Sequence, residues 1–61
     1  MNSDPALLGA FRKQLAMVLA SENAMAFLGL WAAWKDQPGV NRDDLIDIIK
    51  ADAPDLAGGM L

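Results

Sequence analysis

The stretch that decides the fold runs from Ala24 to Trp34 and reads AMAFLGLWAAW. It is an unbroken apolar run that holds both tryptophans and one of the two phenylalanines. A membrane-spanning helix needs about 20 residues, and a buried strand usually has roughly 4–8. Because alanine, leucine and methionine fill the stretch and β-branched residues are absent, we predict a helix that is too short to cross a membrane.

This helix has two apolar faces of different size. At about 100° per residue, the bulky side chains fall on one arc and the small residues on the far side. A helix that is apolar nearly all round is buried or has a partner on more than one face. Aromatic anchors and small residues that permit close helix approach are both typical of interfaces. The predicted interface residues are Phe27, Leu30, Trp31 and Trp34 on the bulky face and Ala26, Gly29 and Ala33 on the small face.

Upstream, residues 5–20 are predicted to form an amphipathic helix. Asp4 followed by Pro5 is typical of an N-cap and the first helical position. Apolar residues then recur at helical spacing and share an arc of about 120°. These are Leu7, Leu8, Phe11, Leu15, Val18 and Leu19.

A break is predicted between this helix and the central one, near Ser21. Serine is a good N-cap and Glu22 suits a first helical turn. If one helix ran through Ser21 to Asn23, its bulky stripe would jump by roughly 130° between the two halves. A turn lets both stripes face one core, and a single helix over 5–35 stays open as the alternative.

Downstream, Pro38 and Gly39 predict the end of the central helix and a turn. Asn41 is the predicted N-cap of a helix over residues 42–51, with Asp44 three residues on as a short version of the capping box. The apolar residues expected to line one face of this helix are Leu45, Ile48 and Ile49.

A fourth, single turn is predicted at the C-terminal end. Asp52 is its expected cap, and Gly58 and Gly59 are expected to end it. Residues 1–4 and 57–61 are expected to be frayed. A chain of 61 residues without cysteine has a small core and no disulfide. We therefore predict an all-α fold: one domain over 1–61, a small bundle of three helices with a possible fourth short turn, completed by association with another chain.

The chain has few groups that perform chemistry, since it lacks cysteine, histidine, threonine and tyrosine. Neither of its serines has a base to activate it, which excludes catalysis of the Ser–His kind. The carboxylates of Asp43, Asp44 and Asp47 are close in sequence, but they fail the calcium-loop pattern and suit a solvated helix start. We expect no catalytic residue, no metal site, no cofactor and no enzymatic activity.

The charge of the chain is −3 and is unevenly distributed. Residues 1–34 carry two basic and two acidic side chains, whereas residues 35–61 carry three basic and six acidic ones. The acidic half argues against nucleic acid as a partner. The apolar helix lacks the basic face of an interfacial membrane helix, which argues against a membrane partner. Because no cysteine and no signal-peptide pattern are visible, we expect a cytoplasmic location.

These observations predict a non-enzymatic protein–protein interaction module, such as an adaptor, docking, assembly or small regulatory protein. Its partner is expected to be a second copy, giving a homodimer, or a helix of another protein. The alternative is a helix-turn-helix regulator that binds nucleic acid through the helices over 24–34 and 42–51. Two aspartates beside Arg42 at the start of the second helix argue against it.

Overall fold

Four helices follow one another in the structure, a computed structural model that describes residues 3–60 and the side chains of residues 3–58. Helix α1 spans Pro5–Ser21, α2 spans Ala24–Trp34, α3 spans Arg42–Asp52 and α4 spans Pro54–Met60. The described residues contain no strand, so the all-α prediction is confirmed. The possible fourth turn is a helix of seven residues.

Helix α1 is the central element, because it packs against both α2 and α3. Helix α4 packs against α3, and no described Cα atom of α2 comes within 8 Å of α3 or α4. The buried apolar side chains come from every helix and from the junction between α3 and α4. They are Phe11, Leu15, Phe27, Leu30, Leu45, Ile49, Ala53 and Ala57.

The break between α1 and α2 is confirmed, but Ser21 is not the cap of α2. Ser21 is the last residue of α1, and its hydroxyl donates a hydrogen bond to the carbonyl of Val18 at 2.6 Å. Glu22 follows in the left-handed conformation, with φ 53°. Asn23 then caps α2, since its side-chain oxygen accepts hydrogen bonds from the backbone N–H groups of Met25 and Ala26 at 3.0 and 3.3 Å. The turn at Glu22 therefore excludes the single-helix alternative.

Asn41 caps α3 as predicted, its side-chain oxygen accepting the N–H of Asp43 at 2.9 Å. The predicted capping box does not form directly between Asn41 and Asp44, because the hydroxyl of Ser3 bridges the two residues. The backbone N–H of Asn41 donates to Ser3 Oγ at 2.6 Å, and the same hydroxyl donates to Asp44 Oδ2 at 2.6 Å. Aspartate is one methylene shorter than the glutamate of a capping box. The Ser3 hydroxyl fills the gap that this leaves.

The N-terminal segment is more firmly held than expected for frayed residues 1–4. Ser3 is only 8% exposed, and the backbone N–H of Asp4 donates to the carbonyl of Gly39 at 2.8 Å. Asp4 also caps α1 as predicted, accepting the N–H of Ala6 at 2.9 Å. Residues 3 and 4 of the predicted frayed segment thus make defined hydrogen bonds, while residues 1 and 2 lie outside the described residues.

Helix α4 also extends further than expected. It includes Gly58 and Gly59, and Ala57 is buried in the core. Asp52, the predicted cap of α4, is instead the last residue of α3. Its carboxylate accepts two hydrogen bonds from the guanidinium of Arg12, each at 3.3 Å. This ion pair joins α1 to the end of α3, and Leu61 lies outside the described residues.

Replacing Ser3 by alanine is expected to lower the free energy of unfolding by about 1–3 kcal/mol. The reason is that the part-buried backbone N–H of Asn41 and the carboxylate of Asp44 both lose the hydroxyl to which they are hydrogen-bonded. The matched control is Ser21→Ala at the chain's other serine. Ser21 is exposed and bonds only within its own helix, so this change should stay within about 0.5 kcal/mol. Urea unfolding followed by circular dichroism measures both, and equal losses would contradict a special role for Ser3.

Candidate protein interface on the second helix

Helix α2 is the candidate site because its exposed side carries no polar side chain. Two large side chains lie on that side, Met25 at 73% and Leu28 at 42% exposure. Four small residues accompany them. We call this surface the outward face of α2, and it consists of Ala24, Met25, Leu28, Gly29, Ala32 and Ala33.

The opposite side of α2 faces the chain's own core. Phe27 is 2% exposed and Leu30 is 8% exposed, so both side chains are buried within one chain. The sequence predicts both residues at a partner interface, whereas in the single chain they lie in the core. The bulky face of α2 is covered inside the chain because α2 packs against α1, and Phe27 and Leu30 join one core cluster with Phe11 and Leu45.

The two tryptophans occupy the border between the core and the surface. Both are half-buried and packed against the core. The ring of Trp34 meets that of Phe11 edge to face, with centroids 5.4 Å apart and planes at 67°. Its indole N–H donates to Gln14 Oε1 at 3.0 Å. Helix α1 therefore satisfies the polar atom of Trp34, and the interface role of Trp31 and Trp34 stays a prediction.

The predicted small face is mostly open to solvent. Gly29 and Ala33 are exposed, and Ala26 is half-buried. A Cβ atom added at Gly29 would meet nothing within 4 Å, so this part of the surface has room for an incoming side chain. These residues share the exposed side with Met25 and Leu28.

Met25 and Leu28 are the surface residues that the sequence argument missed. Neither residue is among the predicted interface residues. On the helical wheel they point away from Leu30. Because the structure buries the bulky face of α2 in the core, residues on the opposite side of the wheel, such as Met25 and Leu28, are expected to be exposed.

The charged residues of α3 form no second candidate site. Arg42 pairs with Asp36 at 3.5 Å, and Asp43 and Asp47 are exposed. In the part of the chain that the structure describes, no three carboxylates gather into a cluster that could hold a metal ion. The helix-turn-helix alternative gains no support, because no described Cα atom of α2 lies within 8 Å of α3, whereas α1 packs against both helices.

None of the helices in residues 3–60 combines the length and apolar character needed to cross a bilayer. The outward face of α2 is an exposed apolar patch of six residues. Its interpretation rests on its own geometry, because comparisons with protein-family models, with curated proteins and with solved structures find no match to this chain.

Proposed function

We propose that this chain is a non-enzymatic protein–protein interaction module that associates with a second copy of itself through the outward face of α2. One observation carries the proposal: the six exposed residues of this helix include no polar side chain. Single exposed apolar residues are ordinary on protein surfaces, whereas a continuous apolar patch is typical of an interaction site.

The order of large and small residues supports a second copy as the partner. Consider two α2 helices that run antiparallel around a two-fold axis placed between Leu28 and Gly29. Met25 of each helix then lies opposite Ala32 of the other, and Leu28 lies opposite Gly29. Each large side chain meets a small residue, as packing of ridges into grooves requires.

The remaining predicted interface residues take defined places in this arrangement. On the helical wheel Trp31 borders the outward face on one side and Ala26 borders it on the other. Both are half-buried in the single chain, so they suit the rim of an interface. Trp34 is held by α1 through Gln14 and contributes less.

The proposed association is weak and reversible. A helix of 11 residues is only about 16 Å long, and a standard interface buries about 800 Å² on each partner. We therefore expect a dissociation constant above about 1 μM. Such an equilibrium suits a regulatory or assembly protein. We place it in the cytoplasm, a proposal supported by the lack of cysteine in the chain.

Variants that carry opposite charges at position 28 test the two-fold pairing. Sedimentation equilibrium of the wild type between about 10 μM and 1 mM should show a mass that rises from 6.5 kDa toward twice that value. Leu28→Glu and Leu28→Lys should each remain monomeric, because like charges would meet beside the two-fold axis. An equimolar mixture of the two variants should recover the association.

Two results would contradict the proposal. A wild type that stays at 6.5 kDa throughout would exclude self-association. A mixture that stays monomeric while the wild type dimerises would place the interface elsewhere on the chain. Circular dichroism of both variants is the control for folding, since Leu28 lies outside the core and its replacement should leave the helix content unchanged.

A further inference from the structure

A groove of about 610 Å³ lies between the turn that joins α1 to α2 and the corner that joins α3 to α4. It lies where the backbones of α2 and α4 stay apart, since no described Cα atom of α2 comes within 8 Å of α4. Its apolar walls are formed by Val18 and Leu19 of α1, Phe27 of α2 and Leu56 of α4. Three of these four side chains are half-buried, so a ligand in the groove would cover apolar surface that the folded chain leaves partly exposed.

The charged side chains that line the groove are all acidic. Glu22, Asp52 and Asp55 line it, and no lysine or arginine does. The carboxylate of Asp52 is already paired with Arg12. Among the described residues, neither Glu22 nor Asp55 has an ion-pair partner. The two carboxylates belong to opposite walls, Glu22 to the α1–α2 turn and Asp55 to α4.

We propose that this groove binds a basic amphipathic helix of another protein. An apolar side chain of that helix packs against Phe27 and Leu56, and its lysine or arginine side chains pair with Glu22 and Asp55. The apolar walls supply the affinity of helix-in-groove binding, and the acidic rim selects a basic sequence over an acidic one. This surface is separate from the outward face of α2 except for Ala24, which belongs to both.

A peptide titration monitored by NMR of the isotope-labelled chain tests this proposal. The probe is a peptide of about 14 residues built from leucine and lysine at amphipathic helical spacing. Its control replaces each lysine by glutamate. The lysine peptide should shift the amide signals of the groove residues, chiefly Leu19, Glu22, Ala53 and Leu56, and the glutamate peptide should leave them unchanged.

Matched variants separate local charge from total charge. The double change Glu22→Gln with Asp55→Asn should weaken binding of the lysine peptide about tenfold, as expected for the loss of two partly screened ion pairs. Asp43→Asn with Asp47→Asn removes the same charge from the exposed face of α3 and should change the affinity less than about twofold.

Three outcomes would overturn the proposal. Equal weakening by both double variants would show attraction to the acidic chain as a whole. If the glutamate peptide bound as tightly as the lysine peptide, the acidic rim would not discriminate between basic and acidic sequences. Amide shifts confined to the outward face of α2 would show that the peptide binds the surface proposed for self-association and not the groove. The first result would leave that self-association intact, so the two proposals fail separately.

Discussion

Replacing Phe11 by alanine is expected to remove about 3–5 kcal/mol of stability, the usual cost of truncating a fully buried phenylalanine. The side chain is 0% exposed and supports the ring of Trp34 edge to face, a contact worth about 0.5–1.5 kcal/mol beyond burial. A chain of 61 residues has a total stability of only about 3–9 kcal/mol. The variant should therefore lose a large part of the stability of the chain and unfold at a much lower urea concentration than the wild type.

Met17→Ala is the matched control for this prediction, because Met17 lies on the same helix and is 73% exposed. It should change the stability by no more than about 0.5 kcal/mol. Urea unfolding followed by circular dichroism and by tryptophan fluorescence measures both variants. A Phe11→Ala protein that unfolds at nearly the wild-type urea concentration would contradict the position of Phe11 at the centre of the core.

Gly39→Ala is expected to cost about 1–3 kcal/mol, because Gly39 has φ 88°, a conformation that side chains other than glycine rarely adopt. The added Cβ atom would also lie 3.0 Å from Leu7 Cδ1. The carbonyl of Gly39 accepts the N–H of Asp4 at 2.8 Å, so a shift of the turn to relieve the strain would weaken that hydrogen bond too.

The same substitution at Gly9 is the control, with the opposite sign expected. Gly9 lies inside α1, and a Cβ atom there would meet nothing within 4 Å. Gly9→Ala should therefore stabilise the chain by about 0.5–1 kcal/mol through the helix propensity of alanine. Thermal unfolding of the two variants should give melting temperatures on opposite sides of the wild-type value, and shifts of the same sign would refute the assigned conformation of Gly39.

Local sequence signals predicted most of the helix boundaries. Asp4 and Asn41 cap α1 and α3 because an N-cap side chain acts on backbone groups only two residues away. The break after α1 was predicted from the wheel, but its cap was assigned to Ser21 instead of Asn23. Serine and asparagine cap equally well, so propensity alone does not choose between them. In the structure Glu22 is in the left-handed conformation, which ends α1 after Ser21 and leaves Asn23 as the N-cap of α2.

Long-range contacts were beyond the reach of the sequence argument. The hydroxyl of Ser3 bonds to Asp44, a partner 41 residues away, and no local pattern announces such a pair. The surroundings of the candidate site also depend on contacts between distant parts of the chain. The wheel separated the bulky face of α2 from the small one, yet it could not show that the chain itself would cover Phe27 and Leu30. That outcome depends on how three helices pack.

The hydrogen bonds of Ser3 and Asp4 close residues 3–44 into a noncovalent ring. A disulfide in that place would persist after unfolding and reduce the entropy of the unfolded chain. The ring made by Ser3 and Asp4 opens when the chain unfolds, so the unfolded chain keeps its full conformational freedom. Its stabilising effect thus resides entirely in the native state, and its closure depends on temperature and denaturant but on no oxidant or reductant.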